Sequence, residues 1–339
     1  MSAERILVTG ATGMIGSFVA RRAVELGYAV RVLARASSDR TLLQGLNVET
    51  AVGDLADPDS LRAAVAGVDV VVHAAAHIGD WGPADKYRQI NVVGLEHLLT
   101  AAEREDRLRR WIQISSLGVY AARDHYGTDE TAAPSLAGLD GYTRTKAEAE
   151  VLLRRHVDEY RLPAVVLRPG FTYGPGERAV IPRLIKRFEQ GVVKFIGDGR
   201  KVLNNTYVGN FVEAVFLAIA NDQAVGETFN IRDERLVTRE EYLTTVANYL
   251  GRPRPSHVPL WLAKTAVPFI EGWAKLRGRQ EPPLLTRATI KFMAVNLDFS
   301  IVKAQSILGY GSTVDFRQGM PDALDWATGK TKVPRLIRP

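Results

Sequence analysis

Thr9-Gly10-Ala11-Thr12-Gly13-Met14-Ile15-Gly16 follows directly after the apolar run Ile6-Leu7-Val8. A strand that turns through glycines into a helix leaves backbone N–H groups without partners at the helix N-terminus, where the peptide dipoles favour an anion. Glycines also let a phosphate approach the main chain closely. The spacing Gly-x-x-Gly-x-x-Gly differs from the dinucleotide fingerprint Gly-x-Gly-x-x-Gly. The stretch predicts a pyrophosphate-binding turn, provided that the rest of the chain supplies matching chemistry.

The matching chemistry lies in the segment from Tyr142 to Lys146, which continues into a run of helix formers. Residues four apart on a helix lie on one face, one turn from each other, so we expect the Lys146 ammonium near the Tyr142 phenol. A nearby positive charge lowers the pKa of tyrosine from its usual value of about 10. We therefore expect Tyr142 to act as a general acid or base. Ser115 and Ser116 end a short apolar strand, and we expect Ser116 to hydrogen-bond the reacting oxygen.

Strand and helix patterns alternate along the first half of the chain, which predicts a parallel sheet with helices on both faces. We predict strands near 4–9, 29–34, 48–52, 69–74, 110–115 and 163–168. We predict helices near 13–27, 58–66, 84–105 and 142–161. Ligands bind such sheets at the carboxyl ends of the strands, and the residues that fall there are Gly10, Asp54, Ala75, Ser116 and Pro169.

The expected fold class is α/β, with a doubly wound parallel sheet of the Rossmann type and a smaller, mainly helical C-terminal substrate domain. At 339 residues the chain is long enough for two subdomains. We expect the dinucleotide-binding domain at 1–170, with returning segments near 200–230, and the substrate-binding portion at 171–335.

Several short motifs, in this order, resemble those of the extended short-chain dehydrogenase/reductase superfamily. Beyond the glycine turn they are Gly53-Asp54-Leu55, His73-Ala-Ala-Ala76, Asn91-Val-Val-Gly94, Ser115-Ser116, Tyr142-x-x-x-Lys146, Leu167-Arg-Pro-Gly170 and Tyr173-Gly-Pro-Gly176. The downstream half resembles the 3β-hydroxysteroid dehydrogenases and sterol-4-carboxylate 3-dehydrogenases. Bacterial reductases of long-chain 2-alkyl-3-keto acids and plant dihydroflavonol reductases are similar too, and these relatives differ in substrate.

The resemblance implies roles for individual residues. Ser116 stands four residues before Tyr120, as the catalytic hydroxyl does in the family, whereas Ser115 is expected to make a strand-end hydrogen bond. The catalytic set is Ser116, Tyr142 and Lys146. The cofactor-contacting set is Gly10, Thr12, Gly13, Met14, Ile15, Gly16, Arg35, Ser38, Asp54, Leu55, Ala74, Ala75, Ala76, Asn91, Tyr142, Lys146, Pro169 and Gly170, with Asn91 expected also to buttress the fold. The substrate-contacting set is Ile78, Trp81, Ser116, Tyr120, Phe171 and Tyr207.

The choice of cofactor depends on the end of the second strand, about 20 residues after the glycine turn. NAD sites usually place a carboxylate there to bind the ribose 2′-hydroxyl, but this chain has Arg35. A guanidinium can form paired hydrogen bonds to a 2′-phosphate, with Ser37, Ser38 or Arg40 as additional donors. We therefore expect NADP, with NAD as the alternative if Asp39 reaches the ribose.

The function that these residues predict is reversible hydride transfer between a nicotinamide and a secondary alcohol or ketone on a hydrophobic substrate. A 3-hydroxy or 3-keto steroid or sterol, or a long-chain 3-keto acid, fits the resemblance. The alternative is an NDP-sugar epimerase or dehydratase with tightly bound NAD, in which Arg183 and Arg232 bind a second pyrophosphate. A non-catalytic NADP-binding regulator is the third reading, and the intact catalytic set disfavours it.

Composition excludes several other classes of protein. The chain has no cysteine, which rules out disulfides and thiolate catalysis, and its six histidines have no metal-ligand spacing, so we expect no metal. The formal net charge is +6, but basic residues occur throughout the chain, and we expect no nucleic-acid partner. The first strand starts too early to leave room for a signal peptide, which predicts a cytoplasmic protein.

The most apolar stretch of the sequence is 258–273, which Lys264, Pro268 and Glu271 interrupt. It is too short to span a bilayer. Its aromatic residues either pack over the substrate domain or form an apolar entrance in peripheral contact with a membrane. From the resemblance we also expect a homodimer, paired through the helices near 84–105 and 142–161.

Overall fold

A seven-stranded parallel sheet forms the centre of the computed structural model, which describes residues 3–79, 81–138, 140–277, 283 and 285–331. The strands are β1 Arg5–Thr9, β2 Ala29–Ala34, β3 Glu49–Val52, β4 Val70–His73, β5 Arg110–Ile114, β6 His125–Thr128, β7 Ala164–Pro169, β8 Phe171–Tyr173, β9 Lys194–Ile196, β10 Val202–Leu203, β11 Asn205–Tyr207, β12 Thr228–Ile231, β13 Val237–Thr238, β14 Ser256–Val258 and β15 Leu297–Phe299. The α-helices are α1 Met14–Glu25, α2 Pro58–Val65, α3 Ala84–Arg88, α4 Gly94–Ala102, α5 Gly141–Tyr160, α6 Val180–Glu189, α7 Val208–Ala220, α8 Arg239–Tyr249, α9 Leu260–Leu276, α10 Arg287–Ala294 and α11 Phe316–Ala327.

The strand order in the sheet is β12-β7-β5-β4-β1-β2-β3, and every pair is parallel. This is the doubly wound order, which reverses direction between β1 and β4 and places the ligand crevice at that point. The six predicted strands are all present within one residue at each end. The α/β fold class predicted from the sequence is therefore confirmed.

Both faces of the sheet are covered by helices, which explains why its strands are almost continuously apolar. Successive residues of a strand point to opposite faces. Ile6 and Val8 accordingly pack in the layer that contains residues of α1 and α7, whereas Leu7 packs in the layer built by α2, α4 and α5. All three side chains are fully buried.

Two features of the architecture differ from the sequence prediction. The predicted helix near 84–105 is divided into α3, a π-helical turn at Gln89–Val93, and α4. The seventh strand, β12, was not predicted as a strand; it pairs with β7 after a long excursion of the chain. Four short two-stranded sheets lie outside the main sheet.

The later part of the chain is mainly helical, as expected, with α8 to α11 following β13. Across the described ranges, no helix has both the length and the apolar character needed to cross a bilayer.

Candidate active site

The parallel sheet brings the sequence motifs to one edge, because the carboxyl ends of all its strands lie on the same side. β1 leads into Gly10, β4 into Ala74, β5 into Ser115 and β7 ends at Pro169. α5 begins at Gly141 beside this edge and supplies Tyr142 and Lys146.

In the glycine turn, neighbouring segments of the main chain lie very close to Gly10 and Gly16. Gly10 has φ +67°, and a Cβ there would lie 2.6 Å from the Ala75 nitrogen, so the turn packs tightly against the segment after β4. A Cβ at Gly16 would lie 2.3 Å from the Gly10 oxygen, so α1 can begin only because residue 16 is glycine. These contacts place β1, the turn and α1 in one compact unit.

The N-terminus of α1 fits a dinucleotide pyrophosphate. Gly13 is exposed at the N-cap, makes no side-chain capping hydrogen bond, and is followed by no acidic residue in the first turn. The N–H groups of Met14 and Ile15 therefore lie in the first turn without a side-chain cap, and the helix dipole favours an anion there. Thr12, Met14 and Ile15 are partly exposed at this turn, as cofactor-contacting residues must be.

Ser116 and Tyr142 meet at the edge of the sheet. The Ser116 hydroxyl hydrogen-bonds the Tyr142 phenol and also accepts a hydrogen bond of 3.0 Å from the Gly118 N–H. The turn that carries Ser116 can approach α5 because residue 118 is glycine: a Cβ there would lie 3.1 Å from both Ser116 Oγ and Thr143 Cγ2. Asp140 caps α5 by accepting a 2.8 Å hydrogen bond from the Thr143 N–H, which fixes the first helical turn with Tyr142 in it.

The pKa of Tyr142 moves in the direction opposite to the sequence expectation. Loss of water around the phenol raises its pKa to about 12, and the hydrogen bond with Ser116 opposes this rise only in part. The Lys146 Nζ is 5.9 Å from the centre of the Tyr142 ring and donates a 2.7 Å hydrogen bond to the Ile114 carbonyl. Burial lowers the pKa of Lys146 to about 8, while Glu150 acts in the opposite sense. In the protein alone, desolvation therefore determines the direction of the Tyr142 pKa, and the expected lowering is wrong.

A buried polar network lies behind the candidate catalytic residues and was not predicted from the sequence. Ser115 donates a short hydrogen bond to Glu150, as expected of a structural rather than catalytic serine, and Glu150 forms an ion pair with Arg168. Arg168 also donates a 2.6 Å hydrogen bond to the Tyr120 hydroxyl. The signal in the sequence was a glutamate four residues after Lys146, which puts its carboxylate on the same helix face one turn later.

At the end of β2, the carboxylate that could have favoured NAD is held elsewhere. Asp39 accepts hydrogen bonds from the N–H and hydroxyl of Thr41 and pairs with Arg178 at 2.9 Å. Arg35 is exposed and Ser38 is partly exposed beside it. Asp54 follows β3 and accepts a 2.9 Å hydrogen bond from the Ala56 N–H.

Two residues from the cofactor set have buried side chains with protein partners. The Asn91 amide accepts from the His77 N–H at 2.7 Å and donates to the His77 carbonyl and to the Thr145 hydroxyl. Asn91 therefore fixes the segment after β4 against α5, as the buttressing expectation stated. The Leu55 side chain is buried in the apolar layer of α2 and α4.

The expected substrate contacts divide into two groups. Tyr120 and Tyr207 are buried and their hydroxyls donate to protein oxygens, Tyr120 to Asn230 at 2.9 Å and Tyr207 to Asp322 at 3.0 Å, so their substrate contact stays a prediction. Ile78 is exposed, and Trp81 and Phe171 are partly exposed, so these three keep apolar surface available.

Comparisons with known proteins agree with this arrangement. The model of the NAD dependent epimerase/dehydratase family matches residues 6–231. The chain is 32% identical to the 2-alkyl-3-oxoalkanoate reductase of Stenotrophomonas maltophilia over 93% of this chain and 97% of that protein. It is 31% identical to the 3 beta-hydroxysteroid dehydrogenase/Delta 5-->4-isomerase of Mycobacterium tuberculosis, over 95% of this chain and 90% of that protein. The crystal structure of gox2253 superposes with a TM-score of 0.81 at 29% identity, covering 98% of this chain and 100% of that one.

The family match spans the sheet from β1 to β12, and the named relatives cover almost the whole chain. The resemblance seen in the short motifs is confirmed at the level of the family. The protein belongs to the NAD-dependent epimerase/dehydratase family and is an NAD(P)-dependent oxidoreductase of the extended short-chain dehydrogenase/reductase type.

Proposed function

We propose that the protein is an NADP-dependent reductase that interconverts a ketone and a secondary alcohol on a hydrophobic substrate, by a mechanism that uses Ser116, Tyr142 and Lys146. The observation that carries this proposal is the hydrogen bond between the Ser116 hydroxyl and the Tyr142 phenol at the carboxyl edge of the sheet, with Lys146 one helical turn away.

The protonation states of the three residues suit the reducing direction. With a pKa of about 12, Tyr142 keeps its proton at neutral pH and can donate it to a carbonyl oxygen. Ser116 donates a hydrogen bond to the same oxygen, which stabilises the charge that develops there. Lys146 is largely protonated at neutral pH and supplies a buried positive charge beside the phenol. When bound, the nicotinamide supplies the hydride.

The surroundings of Arg35 support NADP. Arg35 is exposed at the end of β2, where a 2′-phosphate would lie, and a guanidinium can hold a phosphate by two hydrogen bonds. The Asp39 carboxylate, which could otherwise bind the ribose hydroxyl of NAD, is engaged by Thr41 and Arg178. The residues proposed to hold the rest of the cofactor are the glycine turn, Ala74 to Ala76, and Pro169 with Gly170.

The substrate class is proposed from the relatives and from the apolar side chains near the edge of the sheet. The two named relatives act, by their names, on a 2-alkyl-3-oxoalkanoate and on a 3β-hydroxysteroid. Ile78, Trp81 and Phe171 offer apolar surface that suits a steroid, a sterol or a long alkyl chain. A 3-keto group on such a skeleton is the proposed reacting carbonyl.

The alternative is an NDP-sugar epimerase or dehydratase, which returns the hydride to its own substrate. It needs basic side chains for a second pyrophosphate, and Arg232 is poorly placed for that task. Its Nε donates to the Phe299 carbonyl at 2.6 Å and its Nη1 to the Asp233 carbonyl at 2.7 Å. This engagement favours the reductase.

The test is a rate measurement with purified protein, NADPH or NADH, and a panel of 3-ketosteroids, long-chain 3-keto acids and NDP-sugars. We expect NADPH oxidation with a member of the first two groups and none with the sugars. The Tyr142→Phe variant should lose turnover but still bind NADPH, because it removes only the proton donor. Robust turnover by this variant would exclude the mechanism, and stoichiometric NAD released from the denatured protein would favour the epimerase.

A further inference from the structure

Helix α9 presents a row of large apolar side chains to solvent. Trp261 is 68% exposed, Leu262 46%, Phe269 80%, Trp273 50% and Leu276 86%. Scattered apolar residues on a surface are ordinary, but a contiguous apolar patch marks an interaction site. These five residues are on one helix, within 16 positions of each other in the sequence.

The five side chains share one side of the helix. At about 100° per residue, their positions fall within an arc of roughly 120°. The opposite side carries small residues, Ala263, Val267 and Ala274, which are 3%, 2% and 1% exposed. The helix therefore packs against the protein through its small residues and turns its largest apolar residues outward, the reverse of a helix that contributes to a core.

The segment 252–291, which includes α9, has a net charge equal to that of the whole chain. Of the 44 basic and 38 acidic residues, eight and two respectively lie between 252 and 291, so the remaining 36 of each sign cancel. Basic residues occur throughout the sequence, as expected, and in this segment they exceed the acidic residues by six. Among the described side chains, Lys264, Arg252 and Arg254 are exposed, and the Arg277 guanidinium stacks on the Trp273 ring at 3.9 Å.

An apolar helix face in a segment of net positive charge limits the kind of partner that can bind it. A second copy of the same face would bring like charges together, which disfavours self-association through it. An anionic bilayer satisfies both features, because tryptophan and phenylalanine enter the headgroup region while lysine and arginine contact the lipid phosphates. We propose that α9 is an interfacial helix that seats the protein on an anionic lipid bilayer, with Trp261, Phe269 and Trp273 as its anchors.

The helix cannot cross the membrane in this role, since Pro268 and Glu271 interrupt it and Ala263 and Val267 are packed against the protein. Its axis would lie in the plane of the surface. The proposal concerns lipid binding alone, and it stands whether the enzyme is a reductase or an epimerase.

The test is co-sedimentation of the full-length protein with vesicles made of equal parts phosphatidylglycerol and phosphatidylcholine, or of phosphatidylcholine only. The anchor variant carries Trp261→Ser, Phe269→Ser and Trp273→Ser. Its matched control carries Tyr126→Ser, Tyr160→Ser and Val302→Ser, three exposed apolar residues outside α9. A charge variant, Lys264→Glu with Arg252→Glu, is matched by Arg104→Glu with Arg123→Glu, which are exposed elsewhere.

We expect the wild type and both controls to bind the anionic vesicles, and the anchor and charge variants to bind at least tenfold more weakly. Binding should fall when salt is raised from about 0.1 M to about 1 M, which shortens the Debye length from about 10 Å to about 3 Å. Equal binding by the anchor variant and its control, or no binding by the wild type, would overturn the proposal. A dimer that is observed in sedimentation velocity and that the anchor substitutions dissociate would also overturn the proposal. The apolar face of α9 would then be an interface between two copies of the chain. Thermal unfolding of each variant shows whether a loss of binding is due to misfolding. If the triple variant is misfolded, the single variant Phe269→Ser replaces it, because Phe269 is the most exposed of the three anchors.

Discussion

The Glu150 carboxylate and the Arg168 guanidinium form a buried two-point ion pair, with Nε to Oε1 at 2.9 Å and Nη2 to Oε2 at 2.5 Å. Glu150 lies one turn after Lys146 on α5, and Arg168 directly precedes Pro169 at the end of β7. The pair thus joins the helix that carries the proposed catalytic residues to the strand end beside them. Removing one partner of a buried pair leaves the other charge unpaired in a poorly solvated place.

We therefore expect Glu150→Gln to lower the free energy of unfolding by about 3–5 kcal/mol. The control is Glu148→Gln, two residues earlier on the same helix, which breaks a more exposed pair with Arg88 at 3.1 Å and should lower it by at most about 1 kcal/mol. Urea unfolding measures both. Equal losses in the two variants would show that the buried pair contributes no more than a surface pair.

The two adjacent serines should behave differently. Ser116→Ala removes a hydroxyl that hydrogen-bonds the Tyr142 phenol, and we expect kcat to fall by about 10²- to 10³-fold. Ser115→Ala removes a hydrogen bond to Glu150 and should lower stability by about 1 kcal/mol with a far smaller change in kcat. Steady-state rates and urea unfolding of both variants check this assignment, which would be reversed if Ser115→Ala were the less active enzyme.

His73 predicts a dependence of stability on acid pH. Its Nδ1 shares a 2.8 Å hydrogen bond with the Thr9 hydroxyl, which also accepts from the Ala75 N–H. Burial, together with the charge of Lys146, lowers the pKa of His73 to about 3, whereas the unfolded chain has the ordinary pKa of about 6.5. Between these values only the unfolded state binds the proton, so the protein loses stability as the pH falls from 6.5 toward 3.

On this basis the free energy of unfolding should fall between pH 6.5 and pH 5 by on the order of 2 kcal/mol less in His73→Asn than in the wild type. The matched control is His257→Asn, at an exposed histidine. Unfolding curves at several pH values give the slope for each protein. Identical acid slopes for His73→Asn and the wild type would contradict the assignment.

The proposed NADP specificity predicts that a substitution at Arg35 affects the KM for NADPH but not the KM for NADH. Arg35→Ala should raise the KM for NADPH by about 10- to 100-fold, the usual contribution of a hydrogen-bonded charge, while the KM for NADH changes little. Arg62→Ala, at an exposed arginine of α2, serves as the control. If both coenzymes are affected equally, Arg35 does not contact a 2′-phosphate.

Much of the fold could be predicted because the local hydrophobic pattern of the sequence agrees with the parallel sheet that forms. Apart from β3, the strands that were predicted are largely apolar runs bounded by turns, and the glycine turn is specified by its backbone contacts. β12 was missed because its partner β7 lies about 60 residues earlier, and no local pattern reports such a distant pairing. The predicted homodimer and the domain boundary at 170 stay predictions.

The candidate site was predictable in its motifs but not in its electrostatics. The positions of Ser116, Tyr142 and Lys146 follow from helix periodicity and strand ends. The direction of the Tyr142 pKa does not, because it depends on how much water the surrounding chain excludes. The burial of Tyr120 was not predicted for a similar reason, since its partner Arg168 lies 48 residues later and is itself buried.

The π-helical turn at Gln89–Val93 has a consequence for insertions and deletions in this chain. A π turn contains one residue more than an α-helical turn would. Because the π turn takes up this additional residue, the residues of α4 that follow it keep about the same face that they would have in a regular helix. Leu95, Leu98 and Leu99, all fully buried, accordingly stay in the apolar layer beneath the sheet. Deleting Ile90 would convert the turn to regular α-helical winding and leave these leucines in that layer, whereas the loss of one residue from α4 itself would rotate the rest of that helix by about 100°.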